Sequence, residues 1–282
     1  MSRLRRAGLA ERMRILTVGG RAIRVAVREG TPGWPPLLLC NGIGGSLELF
    51  QPFVGALDPR RPVIRFDMPG IGGSPAPVIP YHLGTLPPLL AGLLDRLGYR
   101  RADVLGVSWG GGLAQQFALS RPERVRRLVL VATGPGALMV PGHPRVLLRM
   151  LTPRRHRDPA HTARAAGELY GGSARSDPAL ARDLLHATTR PGPTGPARGY
   201  FYQLISAAGW TSLPLLPRLR APTLILAGDD DPIIPLVNAR IMHRLIPRSH
   251  LHVYHGGHLE LAAQAERLAP AVEAFLDADR RR

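Results

Sequence analysis

Ser108 sits in Gly106-Val107-Ser108-Trp109-Gly110, directly after the apolar run Asp103–Val107 and just before the helix-like stretch Gly112–Ser120. A serine on a sharp strand-to-helix turn can serve as a nucleophile, provided a base takes its proton, because the free hydroxyl is weak near neutral pH. The glycines are what such a turn demands, since side chains at the flanking positions would clash, and the helix N-terminus turns its unpaired N–H groups toward the serine. The five-residue pattern G-x-S-x-G recurs by chance, and the alternative is a glycine-rich turn with an idle serine. The strand before it and Gly111-Gly112 after it favour the nucleophile.

Behind a G-x-S-x-G elbow the partners follow in chain order, acid and then histidine. Of ten histidines, His258 lies in Gly256-Gly257-His258, just past the apolar run Leu251–Tyr254. A glycine-rich loop after a final strand can carry an imidazole back over the sheet toward Ser108. His252 and His255 are better read as solvent-facing or structural, and His250 precedes the strand. For the acid, the loop Ala132-Thr133-Gly134-Pro135 holds no carboxylate, whereas the loop after Thr223–Ala227 reads Gly228-Asp229-Asp230-Asp231-Pro232-Ile233-Ile234-Pro235. The spacing G-x-x-D-x-x-x-P selects Asp231, leaving Asp229 and Asp230 to cap the next helix or to stay solvated. Asp231 would hold the His258 tautomer and stabilise the imidazolium.

A tetrahedral intermediate needs two hydrogen-bond donors for its oxyanion. The backbone N–H of Trp109 is one candidate. The other is the N–H of Ile43, in Asn41-Gly42-Ile43-Gly44-Gly45 after the run Leu37–Cys40. A second glycine-rich loop, Asp67-Met68-Pro69-Gly70-Ile71-Gly72-Gly73-Ser74, has no Lys and no helix directly behind it, so it is not a phosphate loop; it is expected at the mouth of a pocket. No His/Cys/Asp cluster has metal-ligand spacing, and neither a metal nor a cofactor is expected.

These residues must be carried by a sheet. Leu16–Val18 and Ile23–Val27 flank Gly19-Gly20 and read as a hairpin. Leu37–Cys40, Val63–Phe66, Asp103–Val107, Leu128–Ala132, Thr223–Ala227 and Leu251–Tyr254 are apolar throughout, as strands buried on both faces are. Helical stretches at Leu86–Leu97, Gly112–Ser120 and Val237–Leu245 alternate with them, which predicts a mostly parallel, doubly wound α/β sheet. The alternation breaks between Gly134 and Leu219. That segment, with helix-like pieces at Thr162–Tyr170, Pro178–Thr188 and Gly199–Ala208, is too long for a loop. The reading is a core of residues 1–134 and 219–282, with a helical lid inserted at 135–218 and a turn-rich connector at Pro191–Pro196. With the elbow, this is the α/β-hydrolase fold.

Several longer stretches carry a closer resemblance. NGIGGSLELFQPF (41–53), FDMPGIGGSP (66–75), GVSWGGGLAQQFA (106–118), ATGPGALMVPGHP (132–144), TPRR (152–155), LYGG (169–172), GWTS (209–212) and LAGDDDPIIPLVN (226–238) run over most of the chain, the lid included. In these stretches the sequence resembles the intracellular poly(3-hydroxyalkanoate) depolymerases that act on medium-chain-length polyester granules. The resemblance implies a granule-associated serine esterase whose catalytic residues are Ser108, Asp231 and His258. The Arg-rich composition and the Pro191–Pro196 connector depart from the pattern.

Composition bounds the alternatives. The chain has 282 residues, a formal net charge of +17 and no lysine, so every basic side chain apart from histidine is Arg. Such charge attracts anionic surfaces in a salt-dependent way. The Arg groups are scattered (Arg5-Arg6, Arg126-Arg127, Arg154-Arg155, Arg280-Arg281-Arg282) and no nucleic-acid motif is visible, so no nucleic-acid partner is expected. One cysteine, Cys40, precludes an internal disulfide. The first residues lack the apolar stretch of a signal peptide, and no run is long enough to cross a bilayer; a cytoplasmic protein is expected. The partner expected is a hydrophobic polyester or acyl ester, with a polymer-granule surface beside it. Arg145, Arg149, Arg154, Arg155 and Arg157 would face that surface, and the lid would present an apolar rim. The competing readings are a general carboxylesterase or lactonase for small acyl substrates and a non-catalytic binding protein on the same fold, which fluorophosphonate labelling would separate from an enzyme.

Overall fold

Runs that are apolar on both faces need a sheet covered on both sides, and the chain builds one. The computed structural model describes residues 11–151, 159–188 and 196–279. Its strands are β1 (Glu11–Val18), β2 (Arg21–Arg28), β3 (Leu37–Cys40), β4 (Val63–Phe66), β5 (Ala102–Val107), β6 (Val125–Val131), β7 (Thr223–Gly228) and β8 (Ser249–Tyr254). They form one eight-stranded sheet in the order β1-β2-β4-β3-β5-β6-β7-β8. The β1–β2 hairpin and the β2–β4 pair are antiparallel, and the remaining pairs are parallel.

The helices are α1 (Gln51–Ala56), α2 (Pro87–Arg96), α3 (Trp109–Ser120), α4 (Pro144–Leu151), α5 (Pro159–Tyr170), α6 (Gly172–Ser176), α7 (Pro178–Thr188), α8 (Pro196–Ser206), α9 (Leu236–Leu245), α10 (Glu260–Ala263) and α11 (Ala265–Leu276). Side chains alternate across each strand. Leu38, Cys40, Val104 and Leu130 therefore pack with α2, α3 and α9 on one face. Leu37, Leu39, Leu105 and Val131 pack with α1 and α11 on the other. One expectation fails here: β8 is not buried on both faces, because it is an edge strand, and His250, His252 and Val253 are exposed on it.

The strand order fixes where a site can form. The chain passes from β3 outward to β4 and then returns to β5 on the other side of β3. Ligands of such sheets bind outside the carboxyl ends of the strands at this reversal. Cys40 and Gly106 are register partners there, so the loops after β3 and β5 leave the sheet side by side. Among the described residues five α-helices, α4 to α8, lie between β6 and β7, two more than the three pieces visible in the sequence. α4 to α7 share a small core of Val146, Ala166, Leu169, Tyr170, Ala174 and Ala181 that also takes in Ile233 from the loop after β7. Residues 191–195 of the connector, Arg5-Arg6, Arg154-Arg155, Arg157 and Arg280–Arg282 lie outside the described residues.

Part of the arginine content is structural. Arg61 is fully buried, with Asp277 at 2.8 Å, Glu273 at 3.8 Å and Asp103 at 3.9 Å. Arg126 reaches the same Asp103 at 2.7 Å, and burial still pushes that carboxyl up to about 6. Removing one member of such a cluster strands the others in a dry interior. Arg61→Leu should therefore cost about 3–5 kcal/mol, measured by urea denaturation at pH 7; a loss under about 1 kcal/mol would show that the carboxylates relax to solvent.

Candidate active site

Ser108 ends β5 and begins α3 with φ 54° and ψ −120°, a left-handed backbone that an L-residue adopts only under constraint. The constraint is the crowding at the switch point. A Cβ on Gly106 would lie 2.2 Å from the Gly110 carbonyl oxygen, and one on Gly110 would lie 2.2 Å from that of Cys40. Only glycines allow β3, β5 and α3 to come this close. The Ser108 carbonyl accepts from the amides of Gly111 and Gly112 and from Thr133 Oγ1, while its hydroxyl is not spent on capping α3.

Trp109 opens α3, so its N–H has no acceptor within the helix. In the loop after β3, Gly42 faces the serine; a Cβ there would sit 3.5 Å from Ser108 Cβ. Two residues on, the Gly44 N–H donates to Gln203 Oε1 at 2.7 Å and is therefore committed. Ile43 lies between them. The loop is braced from behind. Asn41 Nδ2 donates to the Ser46 carbonyl, and the Leu47 N–H donates to Asp67 Oδ1 at 2.7 Å. Asp67 also accepts from Gly73 N–H and Arg24, so the Asp67–Ser74 loop folds around its own buried carboxylate.

The three aspartates after β7 separate by partner. Asp231 Oδ2 meets His258 Nδ1 at 2.8 Å, and Oδ1 accepts from the amides of Ile233 and Ile234 at 2.9 Å each. A carboxylate only accepts, so His258 carries its proton on Nδ1 and leaves Nε2 as the free basic nitrogen. Asp229 turns to the exposed His255, whose pKa it raises, and to the Gly256 amide. Asp230 accepts from the Gly172 amide and from Arg175; the amide first and the guanidinium after it hold its carboxyl below the usual range. These contacts stabilise the fold near neutral pH and are lost as the pH falls through the lowered folded value. Neither Asp229 nor Asp230 caps α9, which begins after Pro235 with no side-chain cap.

His258 is buried, and its N–H donates to the Tyr170 carbonyl at 2.7 Å, while the Tyr170 ring stacks on the imidazole at 6.5 Å. Tyr170 belongs to the inserted helices. The junction is tight at Gly172, whose φ is 48° and whose Cβ would lie 2.0 Å from the Gly257 nitrogen. Glu260, also buried, accepts from Gly257 N–H, Ser173 N–H and Ser173 Oγ, tying the two segments together. On the other flank, Trp109 Nε1 donates to the Gln203 carbonyl at 2.9 Å, so one residue of α8 holds both the elbow and the loop after β3. Over Ser108 lies a cavity of about 260 Å³ walled by Trp109, Gly112, Met139, Trp210 and Ile234 among others. His258 shares a smaller cavity of about 20 Å³ with Val107, the residue before the serine. Ser108 and Trp109 follow β5, Asp231 follows β7 and His258 follows β8, so all four lie at the carboxyl end of the parallel strands, as does Ile43 in the loop after β3. The roles of Gln203, Glu260 and Tyr170 were not read from the sequence. The paired glycines Gly171-Gly172 inside a helical stretch were the signal available for a close backbone approach, whereas a buried glutamine on an amphipathic helix looks like a surface residue.

Residues 35–261 match the α/β hydrolase fold family, and the chain belongs to it. The similarity extends further toward one member: the chain is 49% identical over 269 residues to the poly(3-hydroxyalkanoate) depolymerase of Ectopseudomonas oleovorans, covering 95% of this chain and 94% of that protein. It is 26% identical to the 3-oxoadipate enol-lactonase 2 of Acinetobacter baylyi, covering 86% of this chain and 88% of that one. The crystal structure of a hydrolase from Pseudomonas aeruginosa PA01 superposes with a TM-score of 0.76 at 27% identity, covering 94% of this chain and 98% of the other.

Gly172→Ala tests the junction. The methyl group meets backbone and the left-handed φ becomes strained, so stability should fall by more than about 1 kcal/mol in urea denaturation. An unchanged midpoint would mean that Tyr170–Ser173 is not held against the His258 loop.

Proposed function

We propose that the chain is a serine esterase that hydrolyses poly(3-hydroxyalkanoate) or its oligomers, with Ser108 as nucleophile, His258 as base and Asp231 as the acid that orients it. The observation that carries the substrate assignment is the 49% identity to a poly(3-hydroxyalkanoate) depolymerase, sustained over 95% of the chain. The geometry supplies the chemistry. His258 Nε2 takes the Ser108 proton as Oγ attacks the ester carbonyl; Trp109 N–H and Ile43 N–H hold the oxyanion; His258 then returns the proton to the leaving alcohol. Water, activated by the same imidazole, hydrolyses the acyl-enzyme. No cofactor enters these steps.

The helices from residue 135 to 218 act as a lid in this reading. Met139 and Trp210 wall the cavity over Ser108, while Leu138, Leu148 and Phe201 remain exposed, as does Val78, whose carbonyl accepts from Arg198 and Tyr202 of α8. Apolar side chains left in solvent beside a cleft mark an interaction surface, here that of a polymer granule in the cytoplasm. Among the described residues no helix is long and apolar enough to cross a membrane, so attachment would be peripheral. The match to an enol-lactonase, with a cavity of about 260 Å³, favours the second reading, a carboxylesterase or lactonase for small acyl substrates. Turnover of a polyhydroxyoctanoate latex and of a nitrophenyl ester, measured side by side, decides between them: hydrolysis of the ester alone selects the second reading.

Ser108→Ala should lower kcat about a million-fold with the fold intact, by analogy with triad knockouts elsewhere. Asp231→Asn should cost roughly ten-thousand-fold, and far more than Asp229→Asn or Asp230→Asn. A larger loss from Asp230→Asn would overturn the assignment of the acid.

A further inference from the structure

An ester has two arms, and a hydrolase must house both. The acyl arm stays on Ser108, where the cavity of about 260 Å³ lies. The alcohol arm leaves with the proton that His258 delivers, so it must lie on the His258 side. The small cavity there, about 20 Å³, is walled by His258, Val107, Phe50 and Leu261 and shares no wall with the cavity over Ser108. Two more of its walls, Leu49 and Ala262, also wall a groove of about 910 Å³ between α1, α7 and the α10–α11 corner. The groove and the His258 cavity are therefore neighbours, with Leu49 and Ala262 as the walls they share.

We propose that this groove binds the alcohol-side chain of the polyester, so that the enzyme can cut within a chain and not only at its end. The assignment rests on the depolymerase reading above. Its volume lies near the top of the range for small-molecule sites, about 300–1,000 Å³, while the cavity over Ser108 lies below it. Leu49, Pro52, Ala56, Leu180, Leu184 and Ala263 give it a wall of methyl and methylene groups, which suits an aliphatic chain. Of the charged residues of the same groove, Glu48 is paired with Arg24 and Asp183 with Arg182, which leaves Glu266 and Arg267 close to balance, a lining without the excess cation that would favour a fatty-acid carboxylate over a neutral ester chain. At about 20 Å³ the His258 cavity holds little more than one water, so a chain that runs from the site into the groove has to displace the shared walls, Leu49 or Ala262.

Ala263→Cys tests the groove. Cys40, the protein's own thiol, is buried, so a bulky maleimide will mark position 263 selectively. The substrates are linear 3-hydroxyoctanoate oligomers from dimer to hexamer, with nitrophenyl octanoate as the ester that needs no groove. Unlabelled protein should show kcat/KM rising with oligomer length. Labelling should remove about tenfold or more on the hexamer and leave the nitrophenyl ester within about twofold. Equal rates on the hexamer before and after labelling, or an equal loss on both substrates, would overturn the groove while the depolymerase reading stands. Turnover of the nitrophenyl ester with none of any hydroxyalkanoate oligomer would fell that reading, and the groove's occupant with it.

Discussion

The site depends on one steric fact: at the reversal of strand order, three backbones pass closer together than any Cβ permits. Gly106 and Gly110 make that passage possible, and the result is a serine at φ 54° whose conformation would cost about 1–3 kcal/mol if the surroundings did not impose it. The parallel register of β3 with β5 places the loop after Cys40 beside the serine. The first turn of α3 supplies the N–H groups. The strain is held by burial, since β3 is buried at every residue and α3 is apolar on the faces that meet β5 and β6.

The same crowding recurs where the inserted helices meet the core. The His258 loop and the Asp230–Asp231 turn brace each other but are also held from outside. They are pinned by Tyr170, Gly172 and Ser173 through backbone hydrogen bonds and through Glu260. On the opposite flank Gln203 holds the Gly44 amide and the Trp109 indole at once. The insertion therefore does more than cover a pocket. It fixes the orientation of the imidazole and the position of the loop that faces the serine, so a change in lid packing reaches the chemistry through hydrogen bonds of ordinary length.

The sheet was legible because most of its strands are short apolar runs, some of them ended by a turn residue such as Gly19, Asn41 or Asp67, and Ser108 because the elbow leaves a five-residue trace. Asp231 was separable from its neighbours only by spacing. What distinguishes it physically is that the amides of Ile233 and Ile234 take one carboxylate oxygen and leave the other for His258, a feature of backbone direction that composition does not carry. β8 was misjudged as doubly buried because an apolar run reads alike in the middle and at the edge of a sheet; the exposed His250 and His252 were the available hint. α11 went unread, though Leu268, Ala269, Val272 and Leu276 keep helical spacing on its buried face. Gln203 could not have been found, since its function lies in contacts more than 90 residues away in sequence.

The charge can now be divided. Among the described residues the buried arginines are Arg28, Arg61, Arg65 and Arg127, and the buried carboxylates are Asp67, Asp103, Asp231 and Glu260. Four cations and four potential anions leave the described interior close to neutral, so the positive excess does not lie there. A positive surface draws the protein to anionic layers, an attraction that salt weakens. The groove beside His258 stands apart from this charge, since two of its carboxylates are paired, Glu48 with Arg24 and Asp183 with Arg182, and most of its wall is apolar. Under the proposed function a positive surface would hold the enzyme against an anionic granule coat, while the groove would accept the neutral polyester beneath it.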